Sequence, residues 1–222
     1  MKIKSNSTLL FIGDSITDAG RAQPVGESCP WGWGGAGGGY VAQVHAILTA
    51  WHADRHIRVL NTGSSGNTVR DLKARWQRDV LDLKPDWLSI MIGINDVWRQ
   101  FDNPLNRAAG VPLDEYTSTL EKLVAKTKPT LKGLVLMTPY FIEALADDAM
   151  RARMDEYGKA VKGIGKRHGA IVIDTQAAFN KVLAHYHAGA IAWDRVHPGP
   201  AGHMVIARAF CEAIGAVPVA RT

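Results

Sequence analysis

The sequence predicts a three-layer α/β sandwich built on a parallel sheet, and three observations predict it. Five short, almost wholly apolar runs recur along the 222 residues, segments with helical spacing separate them, and no internal repeat or linker divides the chain. Runs that are apolar on both faces belong to sheets covered on both sides, and alternation of strand and helix is how parallel neighbours are joined. The length suits one such unit, so a single domain over residues 1–222 is expected.

The strand runs are "TLLFIG" (8–13), "IRVLN" (57–61), "WLSIMIG" (87–93), "GLVLMTP" (133–139) and "AIVIDT" (170–175). After the first, "YVAQVHAILTAW" puts Val41, Val44, His45 and Leu48 on one stripe, with Trp51 extending it. Between the second and third, "TVRDLKARWQRDVLDL" repeats the pattern with Val69, Leu72, Trp76, Val80 and Leu83. "LDEYTSTLEKLVAKTK" and "MRARMDEYGKAVKGIGKRHG" follow, the latter stopped by Gly169 as a helix C-terminus would be. "QAAFNKVLAHY" and "PAGHMVIARAFCEAIG" complete the set, with Pro200 suited to a first helical position.

Composition narrows the function classes. Hydrophobic residues make up 46% and charged residues 21%, which fits a globular chain and argues against disorder. Lys and Arg exceed Asp and Glu by 26 to 21, but the cations are scattered without a basic run, so no nucleic-acid partner is expected. The N-terminus lacks the long apolar stretch and small-residue cleavage site of a signal peptide, and no segment has membrane-span length. Cys29 and Cys211 are too few for a disulfide framework or a zinc site. A cytoplasmic protein with no membrane partner, no metal and no organic cofactor is expected.

In open α/β sheets, ligands bind beyond the carboxyl ends of the strands. The residues there are chemically telling: Asp14 and Ser15 after the first run, "NTGSSGNT" (61–68) after the second, "GIND" (93–96) after the third, and "WDRVHPG" (193–199) before the last helix. Together they offer a serine, glycine amides, an asparagine amide, an aspartate and a histidine, the parts of an acyl-transfer site. The Asp194-x-x-His197 spacing can bring the carboxylate to imidazole Nδ1, leaving Nε2 to face a serine. Each piece has a plainer reading alone. Asp14 and Ser15 suit an ordinary turn, Asp194 a turn or cap, His197 a surface position, and Asn95 and Gly66 tight turns. Their joint placement at strand ends favours chemistry.

The four blocks "GDS", "NTGSSGNT", "GIND" and "DRVH" stand in the order found in the SGNH (GDSL-type) hydrolases, which this chain resembles from residue 8 to about 212. The stretches "LLFIGDSITDAGRA", "SGNTVRDLKARW", "PDWLSIMIGINDVWRQ", "MTPY" and "AWDRVHP" are similar to the bacterial intracellular acetylxylan esterases of that family. The loop "GESCPWGWGGAGGGY" is richer in glycine than that group's pattern. The resemblance implies a flavodoxin-like fold with a five-stranded parallel sheet and a serine esterase that removes acetyl groups from xylo-oligosaccharides. It implies Ser15 as nucleophile, His197 as base and Asp194 as its partner. The oxyanion hole would be formed by the backbone N–H groups of Ser15 and Gly66 and the side-chain amide of Asn95. A homo-oligomer is plausible for this group. The alternatives are a lysophospholipase or thioesterase of the same fold and, from another class, a non-catalytic carbohydrate-binding protein.

Other features are weighed against plainer readings. "GWGGAG" (32–37) matches a dinucleotide fingerprint but follows no strand, so no NAD site is expected. Trp31 and Trp33 in that loop are either packed or free to stack on a sugar. Trp98, Arg99 and Trp193 flank the catalytic blocks, and Asp14, Trp98 and Trp193 are expected at the substrate, with a subunit interface the alternative for Trp193. His52 with His56, and His185 with His187, lack further metal ligands, while His45 and His203 read as core or interface histidines.

Overall fold

A computed structural model describes residues 1–28, 35–102, 105 and 107–217. The expected Cys29, Trp31 and Trp33 features lie outside the described residues. The chain runs β1 (Thr8–Gly13), α1 (Ser15–Asp18), β2 (Gly26–Glu27), α2 (Tyr40–Trp51), β3 (Arg58–Asn61) and α3 (Val69–Trp76). It continues through β4 (Trp87–Met91), α4 (Ile94–Trp98), α5 (Leu113–Thr127), β5 (Gly133–Met137), α6 (Ala149–His168), β6 (Ile171–Ile173), α7 (Thr175–Leu183) and α8 (Pro200–Ile214).

The strands lie in the order β2-β3-β1-β4-β5-β6. All pairings are parallel except that of β2, whose two residues run antiparallel to β3 at the edge. The expected five parallel strands are therefore joined by a sixth, too short to read from two residues. The α/β class and parallel core stand as expected.

The direction of chain travel explains both helical layers. From β1 the chain steps one way to β3 through α2, then reverses to β4, β5 and β6 through α3, α5 and α6. Right-handed crossovers taken in opposite directions put their helices on opposite faces. Accordingly α3, α5 and α6 pack together, while α7 and α8 follow β6 back to join α2. The reversal at β1 places the sheet's topological switch between β1 and β4, where a crevice opens at the carboxyl edge.

The core is the apolar strand set and the inner helix faces. Leu9, Leu10, Phe11 and Ile12 of β1 are fully buried, with Phe11 against Tyr40 of α2 and Phe210 of α8. Val41, Val44 and Leu48 face inward from α2, but Trp51 does not extend that stripe: it is 63% exposed, because α2 ends there and His52 leaves the helical conformation. On the other face Val69, Leu72 and Trp76 are buried, with the Trp76 indole N–H donating to Thr127 Oγ1 at 2.8 Å. Beyond Trp76 the helix widens into a π turn over Gln77–Leu81. Gly169 caps α6 with φ +60, and Pro200 opens α8.

Candidate active site

The turn that carries Ser15 begins where β1 runs out of room. A Cβ on Gly13 would lie 2.3 Å from the Met91 carbonyl of neighbouring β4, so the strand end admits only glycine. The chain then turns straight into α1, with Ser15 as its first residue. Asp14 is the N-cap, its Oδ1 accepting the Ile16 N–H at 3.0 Å. Asp14 is 1% exposed, so its side chain is turned into the protein as a cap and not toward an open substrate face. Burial pushes its carboxyl up to about 7, although the Ile16 hydrogen bond and the charge of His197 pull the other way.

The partner of Ser15 arrives from the far end of the sequence. Arg195 takes a left-handed conformation (φ +63), folding Asp194 back toward His197. Its guanidinium is anchored by Glu143 at 2.6 Å and lies over the Phe141 ring. Asp194 Oδ1 accepts the N–H groups of Val196 and His197 at 2.9 and 2.8 Å, and Oδ2 meets His197 Nδ1 at 2.6 Å. Burial alone would raise the Asp194 pKa, but these hydrogen bonds, led by that of the imidazole, hold it below the usual range. The opposite ring nitrogen, Nε2, lies 2.9 Å from Ser15 Oγ. Three side chains thus form one continuous hydrogen-bonded line. The Trp98 ring packs edge-on against the imidazole with centroids 5.9 Å apart.

The segments after β3 and β4 meet beside this line. Ser64 N–H donates to Gly13 O at 3.1 Å, pressing the 61–68 loop onto the end of β1. Asp18 Oδ2 accepts both the N–H and the hydroxyl of Ser65 at 3.0 and 2.9 Å. Gly66 follows, exposed and left-handed at φ +78. Asn95 reaches this loop from α4, its Nδ2 donating to Asn67 O at 3.0 Å while Oδ1 accepts from Arg99 at 3.4 Å. It does so because Gly93 takes φ +132, a conformation barred to most side chains, and its missing Cβ leaves room for Pro139. Asn95 is 2% exposed.

Trp193 is placed differently from Trp98. It is 87% exposed and lines a cavity of about 550 Å³ with Tyr186, His187, Glu143 and Arg195, whose walls include none of Ser15, Asn95 and His197. Glycines at the end of the glycine-rich loop let its backbone lie against the turn that carries Ser15: a Cβ on Gly37 would sit 2.6 Å from Asp18 O. His203 Nδ1 accepts from Tyr40 N at 3.2 Å at the start of α2, and burial lowers its pKa to about 4. Among the described residues no group of three His, Cys, Asp or Glu could hold a metal, and no helix is long and apolar enough to cross a membrane.

Reading the sequence missed Arg75 and Asn67. Arg75 donates to Asn67 Oδ1 at 2.7 Å, to Thr62 O at 2.5 Å and to Gly13 O at 2.9 Å, all around the loop just described. Helical periodicity marks the apolar stripe only, and an arginine beside it reads as solvated.

Residues 11–205 match the family model described as GDSL-like lipase/acylhydrolase. The chain belongs to that family. Among family members it is 57% identical over 215 residues to an acetylxylan esterase of Geobacillus stearothermophilus, covering 97% of each chain. The crystal structure of that organism's acetylxylan esterase Axe2 superimposes with a TM-score of 0.94 at 57% identity, again over 97% of both chains. LAE5, an alpha/beta hydrolase from the metagenome of Lake Arreo, Spain, superimposes with a TM-score of 0.95 at 52% identity over 99% of this chain and all of its own. Solved catalytic mutants of Axe2 replace one serine, one aspartate and one histidine with alanine.

Proposed function

We propose that this GDSL-family chain is a serine esterase that removes O-acetyl groups from xylo-oligosaccharides, with Ser15, His197 and Asp194 as its triad. The observation that carries the reading is the unbroken line from Ser15 Oγ through both ring nitrogens of His197 to Asp194 Oδ2, at 2.9 and 2.6 Å. The substrate class is supported by the acetylxylan esterase of G. stearothermophilus, 57% identical over nearly the whole length. The catalytic serine, aspartate and histidine of that relative are the residue types assembled here.

The chemistry follows from the protons. Asp194, accepting from Nδ1, keeps Nε2 unprotonated and able to receive the Ser15 proton. Ser15 Oγ attacks the acetyl carbonyl carbon as its proton passes to Nε2. The carbonyl oxygen, now negative, is met by the N–H groups of Ser15 and Gly66 and by the Asn95 amide. Collapse of the tetrahedral species breaks the bond to the sugar oxygen, which leaves with the proton from His197. Water then gives a proton to His197 and attacks the acetyl-serine; as the ester bond to Ser15 Oγ breaks, His197 passes that proton to Oγ, releasing the acetyl group as acetic acid and restoring Ser15. Trp98, packed on the imidazole, stands where it would border the bound sugar, whereas Trp193 is assigned to the neighbouring cavity rim.

A cytoplasmic location is supported by a composition of two cysteines, with Cys211 buried and unpaired, which needs no oxidising compartment. A homo-oligomer is supported by the exposure of Trp51 and Trp193, 63% and 87%, since a partner subunit would cover such large apolar surfaces. No nucleic-acid partner is proposed, because the 26 Lys and Arg are scattered along the sequence without a basic run.

The test is acetate release from acetylated xylo-oligosaccharides by wild type and Ser15→Ala, beside p-nitrophenyl esters of two- to twelve-carbon acids. Ser15-dependent release from the sugar, with acetyl preferred among the simple esters, is expected. Activity that rose with acyl length and ignored the sugar would move the protein to the lysophospholipase or thioesterase reading. Absence of turnover by folded wild type on every ester would leave a binding protein.

A further inference from the structure

Arg75 sits on α3, yet its guanidinium is directed to the ends of β1 and β3, and its side chain is only 10% exposed. It gives four hydrogen bonds to groups from four different places: Gly13 O, Thr62 O, Asn67 Oδ1 and Asp79 Oδ2. Gly13 is the last residue of β1, two before Ser15. Thr62 follows β3 at the root of the loop that carries Gly66. Asn67 follows Gly66 directly, and its carbonyl accepts from Asn95 Nδ2 at 3.0 Å. Asp79, in the π turn beyond α3, balances the buried charge and is also held by Arg78.

We infer that Arg75 is the positioning residue of the oxyanion site: by holding the loop that carries Asn67 against the end of β1 it sets, through Asn67, the orientation of the Asn95 amide. The chain of contacts runs from Arg75 Nε to Asn67 Oδ1, and from Asn67 O to Asn95 Nδ2. With Arg99 on the far side of Asn95 Oδ1, the amide has one way round to sit, and its second N–H is left for a developing oxyanion. Only a planar fork of several donors can join β1, β3 and the loop at once; an ammonium carries one nitrogen on a flexible stem. Arg75 touches no reacting atom, so its effect passes through Asn67 and Asn95.

This inference rests on the assignment of Ser15, Gly66 and Asn95 above, and the experiment separates the two. Arg75→Lys keeps a cation beside Asp79 but cannot reach Gly13, Thr62 and Asn67 together. With p-nitrophenyl acetate, kcat should fall about 10²-fold, near the loss of one oxyanion donor, with KM within about twofold of wild type. Combined with Asn95→Ala, it should cost no more than about threefold beyond Asn95→Ala alone, because both act through one amide. Fully multiplicative losses would reduce Arg75 to a general structural role, and a single variant within about threefold of wild-type kcat would overturn the inference. If Arg75→Lys fails to fold, Asn67→Ala in the same double-mutant cycle carries the same expectations. Ser15→Ala is measured alongside. Turnover surviving in it would sink the catalytic assignment, whereas a dead Ser15→Ala beside an undiminished Arg75→Lys would sink only the role of Arg75.

Discussion

Replacing Asp194 with asparagine should silence the enzyme while barely disturbing the fold, and the hydrogen bonds say why. Oδ1 of Asp194 accepts two backbone N–H groups, from Val196 and His197, at 2.9 and 2.8 Å. An amide nitrogen placed there would point its hydrogens at two donors, so the asparagine oxygen must occupy that position. The amide nitrogen then takes the place of Oδ2, 2.6 Å from His197 Nδ1 in the native chain. A donor facing Nδ1 forces Nδ1 to accept, and the ring proton moves to Nε2, the nitrogen that faces Ser15 Oγ at 2.9 Å. Nε2 can no longer take the serine proton. Such a tautomer reversal costs on the order of 10⁴ in kcat, about 5 kcal/mol of activation free energy. Stability should change by only about 1–2 kcal/mol, since both backbone bonds survive and one charge-assisted bond is replaced by a neutral one. Steady-state hydrolysis of p-nitrophenyl acetate, paired with a thermal melt, separates the two quantities. A variant that melts normally and keeps kcat within about tenfold of wild type would refute the tautomer argument and remove Asp194 from the triad.

Asn95→Ala should lose about 10²–10³ in kcat, measured on the same ester, and full activity in a folded variant would dismiss its oxyanion role. Asp14→Asn should stabilise the protein in alkaline melts. The folded carboxyl titrates near 7 and the unfolded one near 3.8, so the unfolded chain binds fewer protons in between and stability falls as pH rises through that window. The amide keeps the bond to Ile16 and sheds the charge, a gain of at most about 4 kcal/mol at pH 8 that should vanish near pH 4. His203 acts in the opposite sense: its folded pKa near 4 lies below the ordinary 6.5, so stability should drop as pH falls between those values, by up to about 3 kcal/mol. His203→Gln keeps a side-chain acceptor for Tyr40 N and should flatten that part of the stability profile in denaturant titrations. An unchanged slope would dismiss His203 as its source.

The parts of this protein that the sequence announces are those governed by local rules. Strands buried on both faces read as apolar runs, and all five extend no more than two residues past the observed elements at either end. Gly169 and Pro200 mark helix ends because each has one dominant conformational use. The hydrogen-bonded line of Ser15, His197 and Asp194, proposed above as the triad, is legible because Asp194 and His197 are bound by a three-residue turn and Ser15 by a strand end. What stayed hidden depends on distant partners. The two residues of β2 pair only because β3 is there to receive them. Asp14 resembles a substrate-facing carboxylate until the cap to Ile16 turns it inward. Trp51 fits the apolar period of α2, yet the helix stops at that point. Arg75 lies beside Trp76 in a stretch rich in cations, and only tertiary folding brings Gly13, Thr62 and Asn67 to its fork.

The contact between Ser15 and His197 spans 182 positions, and this makes catalysis depend on bringing distant parts of the chain together. During synthesis, β1, β3 and β4 can pair, and Ser15 can take its place, well before Asp194 and His197 leave the ribosome. A nascent or truncated chain ending short of residue 194 would present the serine without its base and be inert. Lys2 N–H also donates to Ile214 O at 2.7 Å, so α8 docks on residues that precede β1. Contacts of such separation form late because loop closure must precede them. Esterase activity therefore serves as a built-in timer for this chain: in a refolding experiment its return should lag the recovery of helical signal, reporting completion rather than collapse.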